Sequence, residues 1–239
     1  MADILEWPAG LLTPQSSPFD HRPFSRTGGR SLGGLQRSVR TDRGWWVGSY
    51  QNIVFRRGNF DQQRTWNALR VALGGTTGLI AVPVCSTALW ARMGIDFSGE
   101  GVPHDDDTPF DDGSLYQQNS VLIEMASFAP ISATVVTLRL VDHDLPGSIR
   151  FSYQHAMYET GRILSQPGPG LYQVEIFPAI RAPIPANALL ETDQPTVLCH
   201  LAADGEMDID MGVTRTPRPS VNFVEAVDHW VDLAQGLVT

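Results

Sequence analysis

Apolar and polar positions alternate along most of this chain with a period near two, and the helical period shows clearly only once. The runs WWVGSYQNIVF (45–55), GLIAVPV (78–84), VLIEMAS (121–127), TVVTLRLVD (134–142), IRFSYQ (149–154), LYQVEIFPA (171–179) and TVLCHLA (196–202) are short and rich in β-branched and aromatic residues. Turn residues part them, as in DLPG, SQPGPG and APIPAN, so each reads as a strand. In EMDIDMGV, Glu206, Asp208 and Asp210 share one face and Met207, Ile209 and Met211 the other. That alternation predicts a half-buried strand with an acidic outer face. The exception is NFDQQRTWNALRVALGG, where Trp66, Leu69 and Leu73 fall at i, i+3 and i+7. Asn59 suits an N-cap with Gln62 in the capping-box position, and Gly74-Gly75 supplies the stop, which predicts a helix over about 60–73. Near the end, Phe223, Val227, Trp230 and Leu237 match helical spacing while SVNFVEAV also suits a strand. The reading taken is a strand over 220–226, then a short helix or ordered tail. The fold class expected is mainly β, a sandwich or barrel core with one clear α-helix.

Residues 1–43 stand apart. Pro8, Pro14, Pro18 and Pro23 remove amide donors, and Gly28, Gly29, Gly33 and Gly34 loosen the backbone. Such a stretch cannot build its own core, yet Trp7, Leu11, Leu12, Phe19 and Phe24 are more large apolar groups than a solvated tail carries. It reads as an extended arm ordered by pairing with a neighbour. The expected organisation is an arm over 1–43, a mainly-β body over 44–227, and a C-terminal tail or short helix over 228–239. Whether the body divides near 118–121 is open.

Charge sharpens this picture. The 239 residues carry a net −9, and all 17 basic residues are Arg. Without Lys there is no Schiff-base or P-loop lysine, and the acidic balance argues against a general nucleic-acid binder. Six arginines cluster at 22, 26, 30, 37, 40 and 43, so a basic arm faces an otherwise acidic chain. Self-association fits that asymmetry better than nucleic acid does. Cys85 and Cys199 lie far apart in apolar runs and read as buried free thiols. MADILEWPAG lacks a signal-peptide profile, and no window has the roughly 18 apolar residues of a membrane span. A soluble protein made in a cytoplasm is expected.

Candidate chemistry is sparse. HDDDTPFDD (104–112) offers oxygen ligands for Ca²⁺ or Mg²⁺ but lacks the EF-hand spacing, and an exposed acidic loop explains it better. His143 stands between Asp142 and Asp144, where neighbours on a strand diverge; Cys199 and His200 diverge for the same reason. Glu124 and Glu175 lie within apolar strands, and an outward position accounts for both. TGGRSLGG has the composition of a phosphate cradle without the strand and helix that would flank one. No G-x-S-x-G, S-x-x-K, H-E-x-x-H or P-loop occurs. The expectation is no enzyme, with no catalytic, cofactor or metal residues.

The order of features resembles tail proteins of tailed bacteriophages. WPAGLL, PFSRTGG and SLGGLQRSVRTDRGWW look like the family's opening, with a W-P pair, a Gly/Ser/Pro-rich extended stretch and a Gly-Trp-type strand. RTWNALRVALGGTTGLIAVPV resembles its single helix and the strand after it. LPGSIRFSYQHAMYETGRIL, LYQVEIFPAIRAPIPANALLETDQPTVLCHLAADGEMDIDM and PSVNFVEA are similar to its β domain. The likeness spans roughly 5–227; the acidic 98–117 insertion and residues 228–239 depart from it.

The resemblance implies a structural role as a distal-tail or baseplate ring protein. It would close a homo-oligomeric ring, a hexamer favoured over a trimer, between the tail tube protein and the hub with its baseplate or fibre proteins. Its place would be the virion tail, assembled in the host cytoplasm. Ring closure also hides sheet edges that would invite runaway association. On this reading Trp7, Phe19, Phe24 and Leu35 are buried arm anchors, and Arg37, Arg40 and Arg43 are ion-pair partners for acidic faces such as 204–210. Two rivals come from other classes. One is a carbohydrate- or receptor-binding β-sandwich module of a tail fibre or tip, stacking sugars on Trp45, Trp46, Tyr50 and Tyr116. The other is a cell-wall or capsule hydrolase using Glu or Asp pairs.

Overall fold

The structure is a computed structural model that describes residues 4–56, 58–84, 123–140, 148–209 and 217–237, leaving aside the side chains of residues 40, 42 and 43. It is mainly β, with two six-stranded sheets and two helices among the described residues. The strands are β1 (Leu5–Glu6), β2 (Phe19–Thr27), β3 (Ser38–Tyr50), β4 (Ile80–Pro83), β5 (Ile123–Met125), β6 (Val135–Leu140), β7 (Arg150–Tyr153), β8 (Ala156–Gly168), β9 (Leu171–Phe177), β10 (Leu189–Leu190), β11 (Thr196–Leu201) and β12 (Val221–Glu225). Helix α1 spans Phe60–Leu73 and α2 spans Val227–Ala234.

The first sheet runs β1-β4-β11-β12-β3-β2, antiparallel except for the short parallel pair of β1 and β4. The second runs β10-β5-β6-β9-β8-β7. Ser152 on β7 and Glu191, just past β10, exchange backbone hydrogen bonds of 2.8 and 3.0 Å, which draws that sheet round into a near-barrel. Closure removes two free edges at once.

Two apolar cores follow. Between the first sheet and α1 lies an aromatic cluster in which Trp7 meets Tyr50, Trp66 and Phe223 edge-on at 5.1, 6.3 and 5.6 Å. The barrel interior is filled by Ile123, Met125, Leu138, Phe151, Tyr158 and Val174, and Leu198, Ala226 and Trp230 pack against it from the first sheet and α2. β11 serves both: Val197, Cys199 and Leu201 face the aromatic cluster while Leu198 faces the barrel. A strand buried on both faces reads as a nearly unbroken apolar run, which TVLCHLA is.

Helix α1 starts and stops where the sequence places it. The Asn59 side chain accepts from Gln62 N at 3.4 Å, and Gly74 ends the helix in a left-handed conformation. The Gln62 amide does not reach back to close the capping box. It accepts from Arg56 N and donates to Leu11 O and Val54 O, tying the N-terminal segment to the helix.

Three expectations need correction. The arm is ordered by its own chain: Leu5–Glu6 pair with Ile80–Ala81, and β2 pairs with β3 from Phe19↔Gly48 to Thr27↔Ser38. The boundary at 43/44 therefore falls inside a strand. Second, 204–207 is a turn, not a strand. Asp204, Gly205 and Glu206 favour turn geometry, and each acidic side chain takes a partner nearby: Asp204 from Thr76, Glu206 from Asn222, Asp208 from Arg70. Met207 is still buried, which is why alternation imitated a strand. Third, β8 went unread because Gly161 and the exposed run to Pro167 break the period. Of the C-terminal alternatives the short helix forms, with Trp230 as its buried residue.

Candidate functional site

Gly44 divides the β2–β3 hairpin into a clamped base and a free ribbon. At the base, a Cβ on Gly48 would lie 2.1 Å from the Phe19 ring, and one on Gly44 would lie 1.9 Å from Phe177 and 2.7 Å from the Arg22 carbonyl. Only glycine lets β2 and the barrel approach so closely. Arg181, in the loop after β9, donates from Nε to Glu225 Oε1 at 2.9 Å and from its terminal nitrogen to Glu225 Oε2 at 3.1 Å and to the Gly44 carbonyl. Glu225 Oε2 also accepts from the Trp46 amide at 2.9 Å, and the Trp46 indole donates to Met157 O at 2.8 Å. His21 packs on Phe177 at 4.6 Å, and the Arg150 guanidinium lies 5.3 Å from the Trp46 ring centre. Burial pushes the Glu225 carboxyl up, and the Arg181 charge and the hydrogen bonds from Arg181 and Trp46 work against that rise. Burial likewise raises the Tyr158 phenol to about 12, its oxygen accepting from Arg181 N at 2.9 Å. This network fixes the hairpin base to the barrel.

Beyond the base the chain is a two-stranded ribbon open to solvent on both faces. Every residue of β2 after Phe19 is exposed, as is the whole tip over 28–37. The ladder shifts register between Arg22 and Phe24, at Pro23, which suits an edge strand because it lacks an amide donor. The tip closes through Ser31 N to Leu35 O at 2.9 Å and Gly34 N to Ser31 O at 2.9 Å, with Gly34 at φ +80°. From the Arg22↔Trp45 pair to the tip it reaches roughly 20 Å at 3.3 Å per residue. Phe24, Leu35 and Val39 are 50%, 68% and 66% exposed. Among the described residues, Arg22, Arg26, Arg30 and Arg37 make no ion pair or hydrogen bond through their side chains. A lone two-stranded ribbon is marginal in water, so this one is built to meet something.

The residues nominated as arm anchors thus separate. Trp7 and Phe19 are buried in the chain's own aromatic core, a correction that follows from the pairing of 4–19 with its own body. Phe24, Leu35 and Arg37 stand exposed on the ribbon; the side chains of Arg40 and Arg43 lie outside the described set. Sequence reasoning missed Val39, whose only signal is its pairing with Arg26 across the ladder.

The other nominated groups have internal partners. Trp46 and Tyr50 belong to the aromatic core, which withdraws them from any sugar-stacking platform, while Trp45 is half-buried with its ring 6.3 Å from Phe24; Tyr116 lies outside the described residues, as do Cys85 and the segments 104–112 and 141–147. Cys199 is a buried free thiol, raised well above its usual range by burial and then by Glu225. His200 points the other way, with Nδ1 2.9 Å from Gly78 O and Nε2 3.0 Å from Asp228 Oδ1. Burial opposes ionisation of Asp228, but hydrogen bonding and charge from His200, helped by backbone amides, hold its carboxyl below the usual value. Glu124 pairs with Arg139 at 3.2 Å and Glu175 with Arg162 at 3.0 Å. Among the described residues, no three His, Cys, Asp or Glu side chains converge as metal ligands, and no helix is long and apolar enough to cross a membrane.

The ribbon is therefore the feature that single-chain packing leaves unexplained. No protein-family model matches the chain, and no curated protein matches it either.

Proposed function

We propose that this chain is a structural protein of a phage tail, forming a homo-oligomeric ring of the distal tail or baseplate, six copies rather than three. The ring would join the tail tube to the hub and adsorption apparatus, assembled in the host cytoplasm and carried in the virion. One observation carries the reading: a ribbon clamped at its base and solvent-exposed over 20–39, with Arg22, Arg26, Arg30 and Arg37 making no ion pair or hydrogen bond among the described residues and with Phe24, Leu35 and Val39 exposed. An exposed element carrying apolar and cationic side chains marks a surface of interaction, and a head-to-tail ring uses such an element to reach its neighbour.

The test compares the full chain with a variant in which residues 25–40 are replaced by Asn-Gly, a two-residue turn joining the Phe24↔Thr41 pair. Light scattering and negative-stain images of the full chain are expected to show a closed ring that the variant cannot form. Compared as monomers at high dilution, the variant should keep the melting temperature of the full chain, because the excised residues contribute nothing to either core. A full chain that is monomeric across a concentration series, or a variant that still closes rings, overturns the reading.

A further inference from the structure

The ribbon needs a seat, and the sequence nominated the acidic stretch 204–210. The structure argues against it, because Asp204, Glu206 and Asp208 each have a partner of their own and Asp210 lies outside the described residues. Helix α2 has the complementary character instead. Asp228, Val231 and Asp232 stand at i, i+3 and i+4 and so share one face. Val231 is 47% exposed, Leu237 just beyond the helix is 69% exposed, and the Asp232 carboxylate has no ion pair or hydrogen bond among the described residues. His200 takes the Asp228 carboxylate at 3.0 Å, and with no basic residue in the last turn Asp232 is the carboxylate of this face that has no such partner among the described residues.

We propose that the ribbon of one copy docks on the α2 face of the next, with Arg26 on Asp232 and with Phe24 and Val39 against Val231 and Leu237. The pairs Phe24↔Thr41 and Arg26↔Val39 are two residues apart on both strands, so Phe24, Arg26 and Val39 lie on one face of the ribbon. Two strand residues advance about 7 Å, and side chains one helical turn apart are about 6 Å from each other. An apolar–cationic face meets an apolar–acidic face at matching pitch. Charge identifies the occupant as a second copy of this chain: residues 19–43 carry six arginines against two aspartates, whereas the remainder carries eleven arginines against 24 acidic residues. No ion pair or hydrogen bond joins ribbon to α2 within one chain among the described residues. The contact is head-to-tail, the kind that closes rings.

The docking rests on the ring reading, and a charge swap separates the two. Arg26→Glu and Asp232→Arg are each expected to weaken assembly roughly tenfold or more, and the double variant should return it to within a few-fold of the native chain. Both positions lie outside the two cores, so thermal melts of all three variants should overlay the native curve when each is taken dilute enough to be monomeric. If the native chain assembles and Asp232→Arg assembles equally well, the α2 seat is wrong while the ring reading stands. If both single swaps weaken assembly but the double does not recover, the ribbon meets another surface and the proposal falls. A native chain that never assembles overturns both.

Discussion

Residues 4–19 and residues 20–43 are neighbouring stretches with opposite fates, and only the second carries arginine. Both are rich in proline or glycine, and both carry isolated aromatics. In the first, Trp7, Leu12 and Phe19 are buried against α1 and the first sheet, and the Trp7 indole donates to Leu12 O at 3.0 Å. In the second, Phe24, Leu35 and Val39 lie in solvent on a ribbon with no layer above or below it. The difference lies in what each can reach. The first segment lies along β4 and α1, while the second runs past the end of β12, whose pairing with β3 stops at Val47. An apolar residue is a core residue only where a second layer exists to receive it.

The comparison is broken most sharply by truncating one aromatic on each side. Trp7→Ala should destabilise by about 3–5 kcal/mol, since it opens a cavity and leaves the Leu12 carbonyl without the indole donor. Phe24→Ala should stay within about 0.5 kcal/mol of the native chain in the same urea titration. A large loss at Phe24 in the dilute, monomeric chain would mean that the ribbon folds back onto its own body.

The clasp at the hairpin base comes next. Arg181 and Glu225 are 9% and 1% exposed, so Arg181→Met leaves a buried carboxylate without its cation, at an expected cost of about 3–5 kcal/mol. Replacing both, Arg181→Met with Glu225→Leu, should recover much of that, because a buried pair contributes little over an apolar one of similar shape. The Trp46 amide and Gly44 carbonyl would then lack their partners, so recovery should stop short of native. Urea titration of the two variants measures the gap.

A smaller effect belongs to the hinge itself. Gly44→Ala puts a methyl group against Phe177 and the Arg22 carbonyl; the ring can turn but the backbone cannot, so about 1–3 kcal/mol is expected. Gly29→Ala, in the tip with open space around it, should change the melting temperature little.

These contrasts show what sequence could carry. Helix α1 was legible because Trp66, Leu69 and Leu73 set its period and Asn59 and Gly74 its ends, all within one local stretch. β11 was legible because burial on both faces leaves an unbroken apolar run. The ribbon was not, since exposure on both faces leaves no alternation to read, and β8 from Gly161 onward was hidden for the same reason. That the arm carries an exposed basic surface could be read from the arginine cluster. Which of its aromatics lie inside could not, because Trp7 and Phe24 differ only in what stands across from them in space. The Arg181–Glu225 clasp joins residues 44 apart and left no local signal.

The smallest effect tests whether the buried half alone senses pH. His155, at φ +67°, holds Nδ1 2.9 Å from Thr196 Oγ1; burial lowers its imidazole below the usual 6.5, and Glu6 on β1 opposes that. With the folded value depressed, the unfolded chain takes up the proton first as pH falls. The neutral imidazole therefore contributes stability that is full above 6.5 and is lost as pH drops through the folded value. His155→Asn keeps a residue that tolerates left-handed backbone and removes the titration. It should flatten the fall in stability between about pH 7 and about pH 5, leaving the part due to His229, which burial shifts in the same direction. Replacing 25–40 with Asn-Gly should leave that slope untouched, because every group that sets it lies outside the ribbon; a changed slope would place the ribbon against the body after all.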